Sequence, residues 1–163
     1  MRFSFLLCLP VIAVAVAQTP KPVAPHQMSV KPVLLVPSDM KWAPAPPETG
    51  IPSVVQMTIL NGDPSKTGMF SLRLKIPAGG VVNAHWHPTD EHVTVLQGTF
   101  AAGMGDKYDA AATQDFPTGS YVVMPKRMHH FASGKGETVV QVDAMGPFVL
   151  NYVNPADDPR LKK

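Results

Sequence analysis

From Val54 onward apolar and β-branched residues come in short runs, at 54–60, 70–76, 92–97, 121–124, 138–144 and 148–152. Between them lie Asn61-Gly62-Asp63-Pro64, Pro77-Ala78-Gly79-Gly80, Gly103-Met104-Gly105-Asp106, Pro117-Thr118-Gly119 and Ser133-Gly134-Lys135-Gly136. Runs of this length and composition read as strands, and the separators as turns. No convincing helical period interrupts them, so the pattern predicts an all-β sandwich or barrel. Ala110-Ala111-Ala112 is read as one helical turn inside a loop.

Upstream the pattern is different. Between Thr19 and Pro52 stand nine of the chain's eighteen prolines. Proline fixes φ and removes a ladder donor, which excludes a helix or a central strand there. The part up to about Gln27 reads as a disordered tether, Val33-Leu34-Leu35-Val36 as a short edge strand, and Trp42 as an apolar plug against the barrel. At the start, Met1-Arg2-Phe3 leads into an apolar stretch too short to span a bilayer, ending in Ala15-Val16-Ala17. This is the pattern of a signal peptide cleaved after Ala17. The expected organisation is therefore a leader (1–17), a proline-rich arm (18–52), one β domain (53–155) and a polar C-terminal tail (156–163).

A chain of 163 residues suits one domain with a real core. Its one cysteine, Cys8, lies in the leader, so the mature protein has no disulfide although its expected destination, periplasmic or secreted, is oxidising. Loss of Arg2 with the leader leaves 13 basic against 12 acidic side chains. That near-balance, with no basic run, excludes nucleic acid as a partner, and no second apolar run reaches membrane-spanning length. Arg160, Lys162 and Lys163 read as a solvated tail.

Histidine is where chemistry concentrates. Five of the six histidines fall between 85 and 130, three of them within His85-Trp86-His87-Pro88-Thr89-Asp90-Glu91-His92. On a strand His85 and His87 project from one face while Trp86 points away, so the pair can share an ion. Pro88 stops the ladder, Thr89-Asp90 turn the chain, and Glu91 can return to the same cavity. Two imidazoles and a carboxylate suit Mn, Fe, Co, Ni, Cu or Zn better than Ca or Mg. By the same alternation His92 faces away from Glu91, and Asn83 shares the parity of His85 and His87 and would place its amide in the cavity. Ser71, Arg73 and Lys75 share one face of their strand, as do Gln141 and Asp143 of theirs; parity leaves open whether these faces line the cavity. Met104, Met124, Met128 and Met145 read as core filler.

Gly79, five residues, His85-Trp86-His87, three residues, Glu91, six residues and Gly98 match without a gap the first motif of the cupin family. Gly119, five residues and Pro125 match the start of the second, and His130 stands five residues after that proline, where the family has a histidine. The chain thus resembles the cupins from roughly Val54 to Tyr152. The resemblance implies a small jelly-roll β-barrel with one metal held by His85, His87, Glu91 and His130, with His130 rather than His129 as the fourth ligand. Two positions depart from the family: Arg127 stands where it has a glycine, and Gly134 where it has an asparagine.

A metal with open coordination positions can activate water or bind a chelating substrate and dioxygen. The functional expectation is a metal-dependent enzyme, with Mn or Fe and oxidative chemistry favoured, acting on a small molecule outside the cytoplasm. The alternative is a non-catalytic module that binds a small molecule or a metal. A third reading is an assembly protein, since cupins commonly pair through flat sheets as homodimers. No individual catalytic residue is assigned.

Overall fold

The structure is a computed structural model that describes residues 31–162. Among these, nine strands follow in chain order: β1 (Ala43–Pro44), β2 (Gln56–Asn61), β3 (Gly68–Ile76), β4 (Val81–Trp86), β5 (Glu91–Met104), β6 (Gln114–Pro117), β7 (Tyr121–Met124), β8 (His130–Gly146) and β9 (Asn151–Tyr152). All pair antiparallel in one sheet, in the order β1-β2-β3-β8-β4-β9, with β5 against β8, β6 and β7. Ala110–Ala112 forms a 3₁₀ turn capped by the Asp109 carboxylate, as the run of small residues suggested. None of the described helices is long and apolar enough to cross a membrane.

β5 and β8 give the sheet its shape. The first half of β8 lies between β4 and the second half of β5, and its second half lies between β3 and the first half of β5. The β5–β8 register shifts around Gln97, next to Gly98, whose φ of 75° lies in the left-handed region; Gly136 of β8 has φ of 84°. Bulges at such positions bend a strand and increase its twist. The sheet therefore curls into an open half-barrel around one core. Along the strands burial alternates with period two: Phe70 and Leu72, Val93 and Val95, and Val140 and Val142 are all essentially inaccessible. Removing each such side chain from water is worth roughly 1.5–3 kcal/mol.

The described structure departs from the sequence expectations at several points. No break occurs at Ser133–Gly136, because β8 continues through it: Gly134 pairs with Phe100 and Lys135 with Thr99, and Gly134 also bonds the Gly79–Gly80 turn. Val33–Val36 forms no strand and is exposed; the edge beside β2 is taken by Ala43–Pro44. Trp42 is only half-buried, with the Lys75 ammonium 4.7 Å from its ring, and Ala45, Ile51 and Val55 fill the core in its place. Of the four methionines read as core filler only Met124 is buried; Met104, at the end of β5, Met128, in a turn, and Met145, paired with Met69 on the outer face, are exposed. Arg160 is not free in solvent: it pairs with Asp158 at 2.7 Å, donates to the Leu150 carbonyl at 2.8 Å and packs its guanidinium beside Gly50. The leader and the tether up to Gln27 lie outside the described residues.

Candidate metal centre

His85 belongs to β4 and lies directly across the ladder from His130, the first residue of β8. His87 sits one residue past the end of β4, where Pro88 stops pairing, and Glu91 opens β5. Ligand atoms of the three imidazoles lie within 4.8 Å of one another. The Glu91 Oε2 atom lies 3.6 Å from His87 Nε2 and 3.5 Å from His130 Nε2. All four residues are buried.

The backbone orients the rings. His85 Nδ1 lies 2.7 Å from the Asn83 carbonyl, His87 Nδ1 3.0 Å from that of Val149, and His130 Nδ1 2.9 Å from that of Met128. A carbonyl only accepts, so each Nδ1 carries the proton and each Nε2 keeps its lone pair. His87 Nε2 and His130 Nε2 are buried and have no hydrogen-bond partner. Two buried, unpartnered lone pairs beside a carboxylate are costly unless something electropositive joins them. Donor atoms around one ion with bonds of about 2.0–2.2 Å stand roughly 3–3.5 Å apart, close to the spacing between Glu91 and its two imidazole neighbours. The histidine cluster is thus capable of coordinating a metal ion, and carbonyls that accept from Nδ1 and so fix the ring are the usual companions of such ligands.

Burial favours the neutral imidazole at His85 and His87. Burial pushes His85 well below the ordinary imidazole range, with His130 and His87 adding to the effect. Burial also lowers His87, against the opposing pull of the Glu91 carboxylate. For Glu91 burial acts upward, but His87 and His130 outweigh it and hold the carboxyl below its usual range.

The second motif is clasped onto the first. Arg127 N donates to the His87 carbonyl at 2.8 Å, Lys126 N to Asp90 Oδ1 at 2.7 Å, and Met128 N to the Pro125 carbonyl at 3.1 Å. Arg127 achieves this at φ 63°, so it adopts the left-handed conformation of the glycine it replaces, and the spacing to His130 is preserved. Left-handed φ costs a side-chain-bearing residue about 1–2 kcal/mol, partly offset by the greater unfolded-state entropy of glycine. Arg127→Gly is therefore expected to stabilise the fold by roughly 0.5–1 kcal/mol, measured by denaturant unfolding. A destabilised variant would mean that the arginine side chain contributes more than its strain.

Other candidates lie elsewhere. His129 is turned outward, 2.6 Å from Asp106. His92 is on the outer face, 2.5 Å from the Tyr121 hydroxyl. Asn83 does not enter the cavity: β4 pairing shifts between Val82 and His85, so Val82 and His85 both face inward although three residues apart, and Asn83 is turned out. Ser71, Arg73 and Lys75 also face outward, where Ser71 bonds Asp143 and Arg73 bonds Gln141 at 3.3 Å. Leu74 and Ile76 line the cavity instead. Sequence reasoning missed Phe148, which stacks on the His87 ring at 4.2 Å, and the carbonyls of Asn83, Met128 and Val149. Carbonyls leave no mark in a sequence.

Known proteins place this geometry in context. Germin-like protein 1 of Brassica napus is 31% identical over 86 residues, which are 52% of this chain and 40% of that protein, so the chain spans well under two thirds of its length. The polyketide cyclase RemF of Streptomyces resistomycificus superposes with a TM-score of 0.61 at 19% identity, over 78% of this chain and 89% of its own. An RmlC-like cupin of Ralstonia eutropha gives 0.58 at 20%, over 75% and 73%, and KdgF of Halomonas sp. 0.54 at 18%, over 71% and 96%. At such identities these likenesses establish the fold alone. The family described as the ChrR cupin-like domain matches residues 30–149, most of the chain and both histidine-bearing segments, and the protein belongs to that family.

Proposed function

We propose that the protein is a metal-dependent enzyme in which His85, His87, Glu91 and His130 hold one Mn or Fe ion, and that it acts oxidatively on a small molecule. The observation that carries this reading is the pair of buried Nε2 atoms of His87 and His130, partnerless and facing the Glu91 carboxylate. Bound there, a divalent transition ion supplies Lewis acidity and, as Mn or Fe, a redox-active centre. The residues of the chain orient it: three carbonyls fix the imidazole tautomers, Phe148 holds the plane of His87, and the Pro125–Met128 turn locks His130 against the first motif. The enzyme RemF shows that this fold can house catalysis. We read the curled sheet as the family's jelly-roll barrel and residues 18–52 as its arm.

The test is elemental analysis of the full chain purified without chelators, followed by acid titration. Near-stoichiometric Mn or Fe is expected at neutral pH. Absence of any transition metal, with none taken up on addition, overturns the reading. Imidazoles with folded pKa values below the unfolded value of about 6.5 favour the fold above that pH, and this contribution is lost as pH falls through the folded values. The Glu91 carboxylate, also depressed, acts in the same direction at lower pH. Protons compete for the same Nε2 lone pairs that would bind metal, so retention is expected to fall steeply below about pH 6. Unchanged metal content at about pH 4 would be incompatible with three histidine ligands.

The leader pattern further supports a site of action outside the cytoplasm. Intact mass of the exported protein is expected to begin at Gln18; retention of Met1 in that fraction would refute cleavage after Ala17.

A further inference from the structure

The cavity in front of the histidine cluster has about 40 Å³ of space for water-sized occupants, a few times the roughly 10–15 Å³ that one water needs. Apart from His85, His87, Glu91 and His130, every residue lining it is aliphatic or aromatic. Leu74, Val93 and Val140 form its sheet wall, Phe148 its side next to His87, and Ile51 and Leu150, each 4% exposed, close it from the flanking segments. Those two segments are tied together by the Tyr152 hydroxyl, which donates to the Gly50 carbonyl at 2.8 Å, and by Arg160 on the Leu150 carbonyl. Among the described residues no lysine or arginine lines this space, and no serine, threonine, asparagine or glutamine does either.

Charge then selects the occupant. A divalent ion with three neutral imidazoles and one carboxylate leaves a net single positive charge, which one anionic or neutral donor group satisfies. A second ionised group on the same molecule would lie against aliphatic side chains without a partner, and an unpaired charge in such surroundings is strongly disfavoured. We propose that the site takes a small substrate with one metal-binding head, neutral or singly negative, on an apolar body that carries no other charge. Amino acids and dicarboxylates are excluded by their second charge, and sugar acids by hydroxyls that the aliphatic lining leaves without partners. This rests on the metal reading above and narrows it to a substrate class.

The test loads the full chain with Co(II) and titrates it with two isosteric pairs of thiols, following the sulfur-to-cobalt charge-transfer absorption. Propane-1-thiol is compared with cysteamine, whose protonated amine replaces a methyl group, and 3-methylbutane-1-thiol with 3-mercaptopropionate. Each affinity is divided by that of the same thiol for aqueous Co(II), which removes differences in intrinsic chelation. The expected result is that both charged thiols bind at least tenfold more weakly than their apolar isosteres. The sign matters: simple attraction to a positive centre would favour the carboxylate and disfavour the ammonium, whereas an apolar lining penalises both. Equal or tighter binding of either charged thiol, or no binding of any thiol to the cobalt-loaded protein, overturns the proposal while leaving the metal site intact. Failure of the protein to take up Co(II) at all sinks the metal reading, and this inference with it.

Discussion

His130→Ala is expected to abolish the response of the protein to added metal, while His129→Ala leaves it unchanged. The two residues are neighbours, and adjacent strand residues point to opposite faces, so the cavity can receive only one of them. His130 is 3% exposed, faces His85 across the ladder and has an unpartnered Nε2 3.5 Å from Glu91. The His129 side chain is 39% exposed and engages Asp106 at the surface. A ligand that binds only the folded state stabilises it by about 4 kcal/mol when present at about 1,000 times its dissociation constant. The parent and His129→Ala should show this gain as a rise in melting temperature on addition of metal, and His130→Ala should show neither the rise nor bound metal by elemental analysis. The reverse pattern would mean that the second motif is threaded one residue out of register.

Gly98→Ala is expected to lower stability by about 3 kcal/mol or more, and Gly79→Ala by only about 1–2. Both glycines belong to the first motif and hold nearly the same backbone conformation, with φ of 75° and 71°. The strain from a side chain at left-handed φ is therefore common to the two substitutions. What separates them is space: a Cβ on Gly98 would stand 2.4 Å from the Glu137 carbonyl oxygen and 3.0 Å from Thr138 Oγ1, whereas a Cβ on Gly79 meets nothing within 4 Å. The Gly98 clash is with the backbone of β8 at the bend of the sheet, and it cannot be relieved by a rotamer change. Urea unfolding of both variants measures the difference, and equal losses would show that the two glycines serve the left-handed turn alone.

Much of this protein was legible before any coordinates. Period-two alternation sorted the residues of β3 and β8 into two faces, because a strand with one face on a core must alternate, but which face turned inward was decided by the fold. Alternation and a proline-stopped ladder drew His85, His87 and Glu91 toward one cavity, because they act over a few residues and leave few arrangements, and the resemblance to the cupins added His130. Parity failed for Asn83 because a bulge adds one residue to a strand, and nothing in Val82-Asn83-Ala84 announces it. Gly134 and Gly136 read as a turn because glycine is permissive; only pairing with β5 and the Gly79–Gly80 turn, distant in sequence, made that stretch continuous strand. Arg127 departs from the family's glycine, yet two hydrogen bonds from Lys126 and Arg127 to the first motif and one within the turn hold it in the conformation that glycine would have taken. The sequence by itself singled out the histidines and the glutamate that meet at the candidate centre. Only tertiary structure decided which carbonyls orient them, how Ile51 and Leu150 close the cavity, and that its remaining walls are apolar, because those partners come from segments whose meeting no local pattern encodes.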